Sequence, residues 1–134
     1  MEQPPDPGFA PGLTARVELT VSDTDTALAV GSGDVPVLGT PRVLALAEAA
    51  TVAATATRLL PGMTTVGLRV ELDHTMPTPV GRTVVAQAWL TEVTGRRLHF
   101  DVSVTDGSTM VAQGRVERAL VDRHRFVERA SRTP

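Results

Sequence analysis

The chain has no cysteine and no lysine, and its only aromatic residues are three phenylalanines and one tryptophan. Without cysteine there are no disulfides, no thiolate metal sites and no Cys nucleophile. Without lysine, covalent chemistry is left to oxygen, to nitrogen other than an amine side chain, or to water. The chain also lacks a charge excess. A net charge of −2 over 134 residues and a pI near 5.9 give no general attraction for nucleic acid or an anionic membrane, although arginines gather near the C-terminus. No apolar run reaches the ~20 residues that span a bilayer. Nor does MEQPPDPGFAPG carry a basic region followed by an apolar core. It reads as a flexible lead-in over 1–12 and not as a secretory signal, so the protein is expected in the cytoplasm.

What the chain does have is one long helical stretch, TPRVLALAEAATVAATATR, from Thr40 to Arg58. Thr40 can cap its N-terminus with a hydroxyl and Pro41 suits the first turn. Between Arg42 and Arg58 nearly every side chain is apolar or small, the pattern of a helix buried all round. Glu48 is the exception. Steps of four from Thr40 give Leu44, Glu48, Val52 and Ala56, which puts a carboxylate in an apolar stripe. A carboxylate so placed is protonated, has a partner, or has a chemical task.

Strands surround this helix. Leu13 to Val21 alternates, with Leu13, Ala15, Val17 and Leu19 on one face. Ser22 to Gly39 breaks the pattern and reads as an irregular connection with a helical turn near Thr26 to Val30; its Gly31-Ser32-Gly33 fits neither a dinucleotide fingerprint nor a nucleophile elbow. Pro61-Gly62 stops the helix. In the strand from Thr64, the residues Val66, Leu68, Val70, Leu72, His74 and Met76 share the inner face. The strand from Thr83 to Val93 turns Val84, Ala86, Ala88 and Leu90 inward, and Arg96 to Thr105 does the same with Leu98, Phe100, Val102 and Val104. Asp106-Gly107 signals a tight hairpin. The last strand, Thr109 to Asp122, places Met110, Ala112, Gly114, Val116, Arg118 and Leu120 on one side. A single domain over 13–126 and a frayed basic tail over 127–134 follow. One strand, one helix and four hairpin-linked strands make an α+β domain with an antiparallel sheet on the helix. One sheet covers only one side of such a helix, so the sheet curls around it and a second subunit closes the rest.

Glu48 and His74 are two ionisable residues on inward-facing positions. Each alone has an ordinary structural explanation; together, on a helix and on the strand that must lie against it, they make a general acid–base pair. Thr40 adds a hydroxyl at the helix N-terminus, where the dipole favours developing negative charge. His99 and His124 lie on polar surfaces and receive no role, and three dispersed histidines make no metal site.

At these residues the sequence resembles hotdog-fold acyl-CoA thioesterases of the fluoroacetyl-CoA thioesterase type. That family carries a Thr before the long helix, a Glu eight residues later and a His twenty-six residues further on; here these are Thr40, Glu48 and His74. A Gly seven residues before the His matches Gly67, and Gly-x-x-Glu-Arg-Ala on the closing strand matches Gly114, Glu117, Arg118 and Ala119. The resemblance implies a hotdog fold, with a long central helix wrapped by a curved antiparallel sheet of about five strands. It also implies a homodimer or a dimer of such dimers, with a site at the subunit interface. The implied activity is hydrolysis of a small or short-chain acyl-CoA, with no cofactor beyond the CoA of the substrate. Glu48 acts as nucleophile or base, Thr40 orients, and His74 is the acid/base. A main-chain N–H near Gly67 steadies the oxyanion. Arg118 either binds substrate or makes a salt bridge, and Arg96, Arg97, Arg123 and Arg125 are lesser candidates for the CoA phosphates. The fluoroacetyl-CoA member has aromatic residues before the Thr that close its pocket, and the aligned positions here are Gly31 and Asp34. Thioester hydrolysis is implied; a fluoroacetyl preference is not. The alternatives on the same fold are a non-catalytic acyl-CoA or acyl-carrier binding protein and a hydratase or dehydratase, whose Asp/His motif does not occur here.

Overall fold

The computed structural model describes residues 9–132. Strand β1 (Thr14–Thr20) is followed by a 3-10 turn (Asp23–Asp25), the short helix α1 (Ala27–Val30) and the long helix α2 (Thr40–Thr55), which runs into a 3-10 turn (Ala56–Arg58). Then come β2 (Met63–His74), β3 (Thr83–Thr94), β4 (Arg97–Asp106), β5 (Thr109–Asp122) and the terminal helix α3 (Arg123–Arg132). The strands form one antiparallel sheet in the order β1-β3-β4-β5-β2, so β1 and β2 are its edges. Helix α2 touches all five strands. A single helix can do so only if the sheet bends, and the register slips once in each of the pairings β2–β5, β3–β4 and β4–β5. Such bulges bend and twist a sheet.

The core lies between helix and sheet. Val84, Ala86, Ala88 and Leu90 of β3 and Leu98, Phe100, Val102 and Val104 of β4 are all buried, as strict alternation requires. Each large apolar side chain so enclosed contributes about 2 kcal/mol of transfer free energy. From α2 they meet Val43, Leu46, Ala47, Ala50 and Ala54. The expectation of a helix buried all round fails within one chain: Ala45, Ala49, Val52 and Ala53 are exposed. The Thr40–Leu44–Glu48–Val52 stripe therefore runs along the border of the core.

Other expectations are corrected by backbone geometry. Gly39 caps α2 and Thr40 is its first residue, so the Thr40 hydroxyl is free for another partner. In β2 the register slips between Gly67 and Arg69, leaving Leu68 as an extra residue. The alternation inverts there: Thr65 is buried before the slip, Val70 and Leu72 are half-buried after it, and Leu68 points outward. A second slip in β5 buries Val111 and exposes Met110. Asp106 is the last residue of β4, and the tight turn itself is Gly107-Ser108. Residues 123–132 form a helix where a fray was expected from 127. Of the lead-in, residues 1–8 lie outside the described residues, whereas Phe9 is buried in the core and Gly12 N–H donates to the Leu90 carbonyl.

The connection before α2 is pinned. Asp25 is buried and accepts hydrogen bonds from Ser22 and from Arg42 Nε at 2.9 Å. Burial pushes its carboxyl up, but these donors outweigh burial and hold it below the usual carboxylate range. Its carbonyl receives the Gly39 N–H, which sets the residue that starts α2. Among the described residues no helix is long and apolar enough to cross a membrane.

The closest backbone approach is at Gly114, where a Cβ would come within 1.9 Å of the Glu71 carbonyl oxygen across β5–β2. Gly114→Ala is expected to lower stability by about 1–3 kcal/mol, read as a lower urea midpoint; an unchanged midpoint would show that β2 and β5 are not packed this tightly.

Candidate active site

Two groups of side chains sit along β2. The first is at its C-terminal end, beside the start of α2. Thr40 Oγ1 and His74 Nδ1 are 2.8 Å apart. The other ring nitrogen, Nε2, is buried and has no partner among the described residues. A buried polar atom without a partner is uncommon and calls for a ligand or water to complete it. Burial pushes the imidazole below its ordinary value of 6.5, against an opposing hydrogen bond with the Met76 main chain. At neutral pH the ring is therefore uncharged, and able to accept a proton at one nitrogen while carrying one at the other. Both side chains line a cleft of about 330 Å³ whose wall includes Val35, Val37, Leu38 and Met76.

The second group is at mid-strand. Arg118 on β5 is 6% exposed and donates from Nη1 to Glu48 Oε2 at 3.1 Å. Two further donors are also fixed, Nε on Thr65 Oγ1 and Nη2 on the Thr65 carbonyl, both at 3.0 Å. Burial lowers the guanidinium pKa and Glu48 opposes this; arginine stays charged in either case. Gly67 completes the group, since a Cβ there would lie 2.5 Å from Glu48 Oε2. The bulge at Leu68 is what turns Thr65 and Gly67 toward the helix. Glu48 thus has a cation behind it, a bare backbone beside it, and one open side, with about 30% of its side chain exposed.

The structure brings Thr40 to His74 and Glu48 to Gly67 and Arg118. It does not bring Glu48 to His74 within one chain: the Glu48 carboxylate pairs with Arg118, and eight helical residues separate the two groups by about 12 Å along the axis. The direct pair expected from the sequence is corrected accordingly. Arg118, a candidate for substrate contact, is engaged by protein atoms and works as a support for Glu48. Thr65 is a member of the site that sequence reasoning missed. The available signal was its position two residues before Gly67, which becomes informative only once the bulge is recognised. His99 lies 3.3 Å from Glu117 on the other face of the sheet, and His124 lies 3.5 Å from Glu128 on α3. Among the described residues no three His, Asp or Glu side chains cluster as metal ligands would.

A long helix laid across a curled five-stranded antiparallel sheet is the architecture of hotdog proteins. One of them, from Thermanaerovibrio acidaminovorans, superposes with a TM-score of 0.84 at 24% identity over 92% of this chain and 91% of its own. The chain belongs to the family described as FlK, fluoroacetyl-CoA-specific thioesterase, whose model matches residues 21–124. The fluoroacetyl-CoA thioesterase of Streptantibioticus cattleyicolor is 39% identical over 90 residues, which are 67% of this chain and 65% of that protein, slightly under two thirds of its length. A solved structure of the fluoroacetyl-CoA thioesterase FlK superposes with a TM-score of 0.87 at 30% identity, covering 95% of this chain and 99% of its own. A variant of that enzyme solved with fluoroacetate and CoA superposes at 0.82, with 31% identity over 88% and 99% of the two chains.

Two outcomes follow. Gly67→Ala should push aside the Glu48 oxygen that Arg118 holds. Because the clash is with the end of a flexible side chain that can still reach Arg118 with its other oxygen, the cost in stability should stay below the about 3–5 kcal/mol of removing a partner of a buried pair, and a larger drop, read from the urea midpoint, would contradict this. For His74, folding lowers proton affinity, so above pH 6.5 the ring is neutral in both states. As pH falls below that value the unfolded chain takes up the proton first, and stability declines. His74→Gln should flatten the acid side of the stability–pH curve. A curve of unchanged slope below pH 6.5 would show that the ring is not buried as a neutral group.

Proposed function

We propose that the protein is an acyl-CoA thioesterase for small or short-chain acyl groups, acting as a homodimer and needing no cofactor beyond the CoA of its substrate. The observation that carries this reading is the Glu48 carboxylate, held from behind by buried Arg118 and open on the other side beside Gly67. A salt bridge made only for stability would not need a glycine cleared for one oxygen of it. Glu48 either attacks the thioester carbonyl, giving an acyl anhydride that water then hydrolyses to free acid and carboxylate, or removes a proton from a water that attacks directly. In both courses the proton lost by that water replaces the one that leaves with the CoA sulfur. The new C–O bond forms, a main-chain N–H near Gly67 steadies the oxyanion, and the C–S bond breaks. The CoA sulfur leaves with a proton supplied through His74, which Thr40 holds in place.

Two surfaces left open support the dimer. Strand β2 is a twelve-residue edge with unpaired main-chain groups, and natural proteins cover such edges. Beside it lies the exposed small-residue side of α2. If two copies of β2 pair antiparallel about an axis near Val70 and Glu71, His74 faces Gly67 of the partner subunit, and so the partner's Glu48. The 12 Å gap within one chain is then closed between chains. The aliphatic wall of the cleft beside Thr40, with Gly31 and Asp34 exposed on the preceding loop, suits acetyl or propionyl groups without selecting for fluorine.

A thiol-release assay over acetyl-, propionyl-, longer acyl- and fluoroacetyl-CoA tests the reading. Turnover should fall with chain length and show no preference for fluoroacetyl. Glu48→Gln should lower kcat by about 10²–10⁴-fold while leaving the chain folded. Undiminished turnover in that variant would remove Glu48 from the mechanism.

A further inference from the structure

Thr40 is exposed, and a hydroxyl open to water keeps one partner only if the main chain holds it there. Its 2.8 Å contact with His74 Nδ1 therefore depends on what fixes the first turn of α2. The connection leading into that turn does little of this by apolar packing. Leu28, Val30 and Val35 are exposed, and no aromatic residue occurs from 22 to 39. The one charged group that the connection buries is Asp25.

Asp25 grips Thr40 from both sides. Its carbonyl accepts the Gly39 N–H at 2.9 Å, one residue before Thr40, and its Oδ1 accepts from Arg42 Nε at 2.9 Å, two residues after. Two bonds to one residue thus bracket Thr40 and leave its own side chain free. The anchor is itself fixed, since Oδ2 accepts from the Ser22 main-chain N–H at 2.8 Å and from the Ser22 hydroxyl at 2.9 Å. Gly39 lies against α1, where a Cβ would stand 3.1 Å from Ala27 Cα. Next to it, the Leu38 N–H donates to the Thr78 carbonyl at 2.9 Å, which ties the same turn to the chain that continues from His74.

We propose that Asp25, together with Arg42, is the positioning residue of the Thr40–His74 pair, setting where the Thr40 hydroxyl stands and how far the imidazole is closed off from water. Its effect on turnover rests on the acyl-CoA reading above; its effect on the ring does not.

The test follows the ring directly. Proton NMR of the full chain gives three imidazole titrations, with the His74 signal identified by His74→Gln. His99, beside Glu117 on the other sheet face, and His124, on α3, are internal controls. Asp25→Asn keeps the size of the side chain but sets a donor against Arg42 or Ser22. With Thr40 released, water reaches the ring, and the His74 midpoint should rise toward its ordinary 6.5 while both controls stay in place. Simple electrostatics would act the other way, because losing a nearby negative charge lowers the proton affinity of a histidine. No other ionisable side chain lines the cleft with His74. Arg42→Met should give the same rise. Arg42→Gln, whose amide nitrogen is as many bonds from the backbone as Arg Nε, should restore the parent midpoint. In thiol release, Asp25→Asn should lower kcat by about 10–100-fold with KM little changed, and should lower it no further on a Thr40→Val background. A His74 midpoint that stays or falls in the folded Asp25→Asn chain would overturn the proposal. If that chain does not fold, Arg42→Met, at a half-exposed position, decides by the same readout. If the midpoint rises and the parent hydrolyses no thioester, the positioning role stands and the hydrolytic reading falls.

Discussion

The candidate site depends on one interaction, the contact between Arg118 and Glu48. A guanidinium enclosed between helix and sheet must be matched by acceptors, and removing a partner from such a pair generally costs about 3–5 kcal/mol because an uncompensated charge is left behind. Three acceptors meet it: the Glu48 carboxylate, the Thr65 hydroxyl and the Thr65 carbonyl. The pair therefore ties α2 to β2 and β5 at once. It also fixes the Glu48 carboxylate without covering it, which is the condition for a carboxylate that does chemistry as well as structure.

Local features of the backbone serve that contact. The extra residue at Leu68 rotates Thr65 and Gly67 toward the helix, where an unbroken strand would have presented Val66 and Leu68. Gly67 has no Cβ to displace the carboxylate, and Gly114 lets β5 approach β2 closely enough to bring Arg118 under it. At the other end of β2, the hydrogen bonds that place Gly39 as the cap of α2 leave the Thr40 hydroxyl to His74. Each half of the site is locally complete, and each has one group still open: a carboxylate oxygen in one, an imidazole nitrogen in the other.

How much of this could be read in the sequence depended on how regular each element is. Strands β3 and β4 were legible because their inward positions alternate without interruption through the core, and the helix because its start and stop signals are strong. The Thr40, Glu48 and His74 positions stood out as polar groups among apolar neighbours. The bulges were not legible, since a one-residue slip leaves composition untouched while exchanging the faces of everything beyond it; Leu68 and Met110 were misplaced for that reason. The Glu48 partner was equally hidden, because Arg118 lies 70 residues away and only the sheet order brings β5 beside β2. The helical tail was missed because its arginine-rich sequence buries no residue fully, and its start is set by the Asp122 cap and by packing at the end of β5.

The central claim is that Glu48 of one chain and His74 of another converge on the same thioester. Mixed dimers test it most directly. Glu48→Gln and His74→Ala chains, each inactive alone, are unfolded together, refolded as a mixture and assayed for thiol release. A shared site predicts that activity returns to about one site in four, because half of the dimers pair unlike chains and one of the two sites in each is intact. A mixture as inactive as its components would place both residues of the working site in the same chain and contradict the claim.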